Sequence, residues 1–185
     1  MNIVSISGSP SQRSRSSWLL QLAQTRLEGS AGNSAFISVR ELPAAALLVA
    51  DTRPEPIRRA LAQVAEANLV IVATPIYKAA YSGLLKLFLD LLPPDALRGK
   101  TVLPLATGGS LAHLLALDYA LKPVLSALGA RDILDGVFAT DSQLAPHESG
   151  GYVPDDILVT RIDRALQPLP TLRASDRLSV LGSAA

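Results

Sequence analysis

Leu69-Val-Ile-Val-Ala-Thr74 is an unbroken apolar run of strand length, closed by Pro75. A strand with one wet face alternates apolar and polar residues. A strand that is apolar throughout is buried on both faces, as the strands of parallel sheets are. Working outward, residues 2–7, 35–40, 101–107 and 132–139 also have strand character. Between the strands, residues 16–29, 54–67, 83–92 and 110–128 carry apolar side chains at helical spacing, and residues 155–166 follow the last strand. In the first of these helices Trp18, Leu19, Leu22, Ala23 and Leu27 share one face. Pro54 sits near the first turn of the second, Pro93-Pro94 stops the third and Gly129 ends the fourth. Strand and helix alternate five times, which predicts an α/β fold: a doubly wound, five-stranded parallel sheet with helices on both faces.

The chain has 185 residues, which fits one domain. We expect a domain over residues 1–167 and a loosely ordered tail over 168–185, where Pro, Ser and Ala occur without firm periodicity. Seventeen basic and sixteen acidic residues leave a net charge of +1, which argues against nucleic acid as a partner. There is no cysteine, so disulfides, thiolate metal sites and a cysteine nucleophile are excluded. The N-terminus has no basic stretch followed by a long apolar one, and the longest strictly apolar run is residues 44–50. No membrane span and a cytoplasmic location are expected.

In doubly wound sheets ligands bind at the carboxyl ends of the strands. The loop after the first strand reads Gly8-Ser-Pro-Ser-Gln-Arg-Ser-Arg-Ser-Ser17. It enters a helix N-terminus, where unpaired N–H groups favour an anion, and it adds five hydroxyls and two guanidinium groups. Neither a Walker A nor a Gly-x-Gly-x-x-Gly pattern is present. Ser9, Ser11, Arg15, Ser16 and Ser17 are the candidate phosphate contacts, with Arg13 a lesser one. A serine-rich cap on a solvated helix is the plain alternative. After the third strand, Pro75, Ile76, Tyr77 and Lys78 offer an extended backbone, a flat ring and a cation. After the fourth, Thr107-Gly108-Gly109-Ser110 lets a ligand approach the backbone closely. Each of these two loops is on its own compatible with a simple turn. Together the three loops match what flavin mononucleotide (FMN) needs: phosphate, ring-edge and ring-face contacts.

These segments, with residues 103–123 and Asp141-Ser-Gln143, resemble the NADPH-dependent FMN reductases of the flavodoxin-like superfamily. The likeness is greatest to the reductase of the two-component alkanesulfonate monooxygenase system. The resemblance implies the strand order 2-1-3-4-5, FMN, and NADPH or NADH as the electron donor. It implies a homodimer or homotetramer, and delivery of reduced FMN to an FMN-dependent alkanesulfonate monooxygenase. Two other readings of the same fold keep FMN fixed: a flavodoxin-like electron carrier, and a quinone or azo reductase. No catalytic side chain is expected, because hydride passes directly between two cofactors.

Helices 83–92 and 110–128 are apolar on most sides, which predicts that both pack against a second copy of the chain. Pro123 has no N–H for the carbonyl of Tyr119, so helix 110–128 should be kinked or widened into a π-bulge around residues 118–123. The resemblance implies more: that Tyr119 is an inserted residue in an interfacial π-helix linked to flavin release.

Overall fold

The computed structural model describes residues 1–27 and 32–169. Four strands, β1 (Asn2–Ser7), β2 (Asn33–Ser38), β3 (Leu69–Tyr77) and β5 (Thr101–Gly108), run parallel in the order β2-β1-β3-β5. The short β4 (Ala80–Tyr81) only folds back against the end of β3. The fifth position of the sheet holds two short strands on β5, namely β6 (Asp132–Ile133) and β7 (Val137–Thr140). The topology is therefore the expected 2-1-3-4-5. The single strand expected over 132–139 is corrected to two. The break lies beside Pro104, which has no N–H to offer a neighbouring strand. Gly136 fills it, because a Cβ there would stand 3.0 Å from Leu117 Cδ1 and 3.4 Å from Pro104 Cγ.

The apolar run at 69–73 is fully buried because its alternate residues serve two cores. Leu69, Ile71 and Ala73 face α1 (Arg15–Thr25) and α6 (Asp156–Leu166), where they meet Leu19, Leu20, Leu158 and Ile162. Val70 and Val72 face α3 (Glu55–Glu66), α4 (Gly83–Leu89) and α5 (Lys122–Ala127). Each fully buried Leu or Ile contributes roughly 1.5–3 kcal/mol, so the two layers dominate stability. Leu169 packs into the α1–α6 layer. Residues 170–185 of the expected tail lie outside the described residues.

Two local expectations are corrected, for residues 35–40 and 110–128. Strand β2 begins two residues early, and Val39–Glu41 is a 3₁₀ turn. The apolar run at 44–50 forms a short helix, α2 (Ala44–Leu48), which buries Ala46 and Leu47. Helix α4 is covered from within: Leu85, Phe88 and Leu89 are buried, and α2 and the 3₁₀ turn pack against it. Leu84 and Leu87 on the same helix are only partly buried. Residues 110–128 are not one helix. A 3₁₀ turn (Leu111–His113) leads to a π-helical stretch (Leu117–Leu121) and then α5. The N–H of Lys122 bonds to the carbonyl of Leu117, five residues back. Lys122 Nζ also sits 2.6 Å from Asp118, which ties the widened turn. Pro123 follows directly, so the winding widens where the sequence predicts.

One buried knot positions the carboxyl edge of the sheet. Ser82 caps α4 by accepting the N–H of Leu85 at 3.1 Å, and its hydroxyl donates to the carbonyl of Gly8. The Ser82 N–H donates to Thr74 Oγ1 at 2.9 Å. Gly8 N–H donates to the carbonyl of Ala73 at 2.8 Å. A Cβ on Gly8 would lie 2.5 Å from Leu85 Cβ, so glycine alone fits between β1 and α4. The first loop and the loop after β3 are thereby held side by side. Ser82→Ala removes the cap and orphans a buried carbonyl. Urea unfolding should show a loss of about 2–3 kcal/mol, with the slope unchanged.

Candidate functional site

Three loops meet at the carboxyl edge because the strands carrying them are in register. Ser7 pairs with Ala73, Pro75 with Thr107 and Gly108 with Thr140. In the first loop most hydroxyls knit the loop itself. Ser9 is buried and accepts the N–H of Ser11 at 3.2 Å; Ser11 Oγ donates to the carbonyl of Arg13 at 2.9 Å. Ser14 caps α1 by accepting the N–H of Ser17 at 3.1 Å. Ser16 is buried with its hydroxyl 3.0 Å from that of Ser14, and Ser17 Oγ lies 2.7 Å from Ser7 Oγ. The serines thus shape the loop. The donors left over are the N–H groups of Arg15 and Ser16 and the guanidinium groups of Arg13 and Arg15.

Arg15 is already engaged on one side. Its Nε donates to the carbonyl of Leu144 at 3.1 Å, and Nη1 stands 3.7 Å from Asp141 Oδ1. Its guanidinium lies over the Tyr152 ring, 5.0 Å from the centroid. These partners come from a 3₁₀ turn (Asp141–Gln143) and a hairpin of β8 (Leu144–Pro146) and β9 (Tyr152–Pro154). The sequence puts residues 140–153 among the loops at the carboxyl ends of the strands, but it marks neither the hairpin nor its contacts with Arg15. The one sequence signal is the pair Gly150-Gly151, both at positive φ in the turn.

In the second loop β3 runs on through Pro75 and Ile76 to Tyr77, which is 51 % exposed. Tyr77 and Ala80 close a two-residue hairpin around Lys78 and Ala79, with φ of 49° and 65°. Both residues occupy the left-handed region that a tight hairpin demands and that Asn-Gly fills more easily. The Lys78 side chain points to solvent. Tyr81 is half-buried; burial pushes its phenol up, Lys86 opposes this and Asp90 adds to it, so the hydroxyl stays protonated at neutral pH. In the third loop Thr107 is buried. Gly108 packs so closely that a Cβ would lie 3.0 Å from Phe138 Cζ. Gly109 and Ser110 are exposed, and Ser110 caps the 3₁₀ turn by accepting the N–H of Ala112 at 3.2 Å. Asp141 links the first and third loops, since a Cβ on Gly109 would stand 3.9 Å from Asp141 Oδ2.

The edge thus presents an anion-seeking helix start, an exposed aromatic ring and bare backbone within one shallow surface. The sequence profile of NADPH-dependent FMN reductases matches residues 1–145. The chain belongs to the NADPH-dependent FMN reductase family. It is 46 % identical to the FMN reductase (NADPH) of Escherichia coli K12 over all of this chain and 99 % of that one. It is 47 % identical to the FMN reductase (NADPH) of Pseudomonas putida KT2440 over 95 % of this chain and 88 % of that one. The solved apo structure of an NADH:FMN oxidoreductase, EmoB, superposes with a TM-score of 0.81 at 41 % identity, covering 89 % of this chain and 86 % of that one.

The family relationship does not remove the strain at residues 78 and 79. Replacing Lys78-Ala79 by Asn-Gly should raise unfolding free energy by about 1–2 kcal/mol in thermal denaturation. If stability instead falls, Lys78 makes a contact that outweighs its backbone cost.

Proposed function

We propose that this chain handles FMN as a substrate that enters, is reduced and leaves, so that reduced FMN reaches a monooxygenase that desulfonates organosulfonates. As a member of its family the chain is an NAD(P)H:FMN oxidoreductase, with FMN and a reduced nicotinamide dinucleotide as its reactants. The observation that carries the proposal is the openness of the carboxyl edge, where half-exposed Tyr77 and the bare Gly109 flank the helix start.

The residues fit the flavin. Its phosphate is assigned to the first loop, to the N–H groups at the start of α1 and to Arg15. Ser9, Ser11, Ser16 and Ser17 hold that loop in shape. The ring edge is assigned to the backbone of Pro75, Ile76 and Lys78. Tyr77 would flank the ring, and Thr107, Gly108, Gly109 and Ser110 are assigned to its face. Hydride transfer is the chemistry that the two bound reactants would supply, so the protein's part is to orient them. No acid or base is placed between them.

Self-association supports release. Leu111, Leu114, Leu115 and Tyr119 are all exposed, Tyr119 at 79 %, within one stretch around the π-helical turn. A second copy of the chain covers this surface in our reading, as a dimer or tetramer. No helix among the described residues is long and apolar enough to cross a membrane. We place the reaction in the cytoplasm, where the nicotinamide donor is regenerated.

Arg15→Ala should weaken FMN by about tenfold or more in equilibrium titration and leave riboflavin nearly unaffected. Equal losses for both flavins would place the phosphate elsewhere. Leu114→Glu should lower the sedimentation coefficient toward that of a monomer; a wild-type chain that is already monomeric at micromolar concentration removes the interface. Deleting Tyr119 should restore ordinary winding before Pro123, so that FMN copurifies and free-flavin turnover falls. A deletion variant that folds, stays flavin-free and turns over at the wild-type rate would refute the role of Tyr119.

A further inference from the structure

A cleft of about 750 Å³ lies between the start of α1 and the β8–β9 hairpin. None of the ring-side residues 75–78 or 107–110 lines it. Its volume suits a nucleotide-sized ligand. Its floor is shared with the first loop through Ser14, Arg15 and Ser17. At its mouth stands Arg13, which is exposed and makes no ion pair among the described residues. Trp18 and the Gly150-Gly151 turn both line it. They adjoin each other: a Cβ on Gly151, at φ +78°, would lie 3.2 Å from Trp18 Nε1. His147 Nδ1 takes the N–H of Ser149 at 3.3 Å and lies 2.6 Å from its hydroxyl, which leaves Nε2 as the open ring atom.

The cleft therefore combines a cation without a carboxylate partner, a flat aromatic side chain and polar groups of both senses. Gln12 and Gln21 offer amides, and Glu148 offers an acceptor for an amino group or a ribose hydroxyl. A flat base on a sugar phosphate asks for these groups. We propose that the cleft binds the adenosine 5′-phosphate half of a dinucleotide. This rests on the reading that the first loop takes the flavin phosphate. Arg15 borders both regions, so whatever continues beyond that phosphate enters the cleft directly. Two dinucleotides carry this group. FAD is FMN extended through its phosphate to adenosine 5′-phosphate, and the nicotinamide donor carries the same half.

Trp18 is the single tryptophan of the chain, so its emission reports on the cleft. In the full-length, flavin-free protein, 5′-AMP should change that emission saturably. Arg13→Glu and Ser149→Asp, both exposed substitutions that leave the core intact, should each weaken AMP by about tenfold. FAD or NADPH should displace AMP, and FMN should not. Steady-state assays then name the source. A tenfold fall in kcat/KM for FAD relative to FMN assigns the cleft to the flavin dinucleotide. A tenfold rise in the KM for NADPH, with that ratio constant, assigns it to the donor. An AMP titration without effect overturns the proposal, as does displacement by FMN as strong as by FAD. Loss of FMN affinity in Arg13→Glu with riboflavin spared also overturns it, because Arg13 would then belong to the flavin phosphate. The Arg15→Ala comparison of FMN with riboflavin judges the flavin reading separately.

Discussion

The buried hydroxyl of Ser82 holds together the edge on which the site is built. It caps α4, donates to the carbonyl of Gly8 and, through its own N–H, engages Thr74. The ends of β1 and β3 and the start of α4 are fixed by groups that have no access to water. Such bonds matter more by their absence than by their presence, since an unpaired buried carbonyl or N–H costs about 1–3 kcal/mol. Gly8 must be glycine for the same reason: α4 approaches β1 too closely for a Cβ. The first loop leaves this knot toward α1 and the hairpin beyond it.

From that direction follows the position of Arg15. A cation at the start of a helix ordinarily opposes the helix dipole. Here the guanidinium is steadied by Asp141, the Leu144 carbonyl and the Tyr152 ring. In the proposed reading an incoming phosphate would meet an arginine held in place, and less side-chain freedom would be lost on binding. The same attachments make the β8–β9 hairpin part of the site, although it stands beyond the last strand of the sheet. The π-helical turn lies on the other flank of the edge. It packs against β4, the return strand of the Lys78-Ala79 hairpin. An exposed apolar surface and a strained hairpin thus share one contact, and movement at either would be felt by the other.

Much of this was legible in the residues, for definite reasons. An unbroken apolar strand at 69–74 requires cover on both faces, and five strand-helix units in series leave few topologies that satisfy it. Pro123 removes one N–H from a helix that otherwise runs on, and the structure widens just before it, over Leu117–Leu121. The three loops follow from the same periodicity, because ligand loops in this topology are those after the strands. Local chemistry within a dozen residues was enough for each of these readings.

Other features depend on contacts between distant residues, and local pattern is blind to them. Helix α4 reads as apolar on most sides, yet how much of it the chain's own fold covers depends on α2, an element too short to show a period. The serines of the first loop read as ligand donors, but their hydroxyls turn inward once Ser7 and the α1 cap are in place. The break between β6 and β7 needs Pro104 and Gly136 side by side, which only the pairing of strands brings about. Arg15 finds its partners more than a hundred residues downstream. Periodicity and turn chemistry are properties of neighbours along the chain and can be read from it. The use of each polar group is set by what the folded chain brings within hydrogen-bonding reach, and that is a property of the packed molecule.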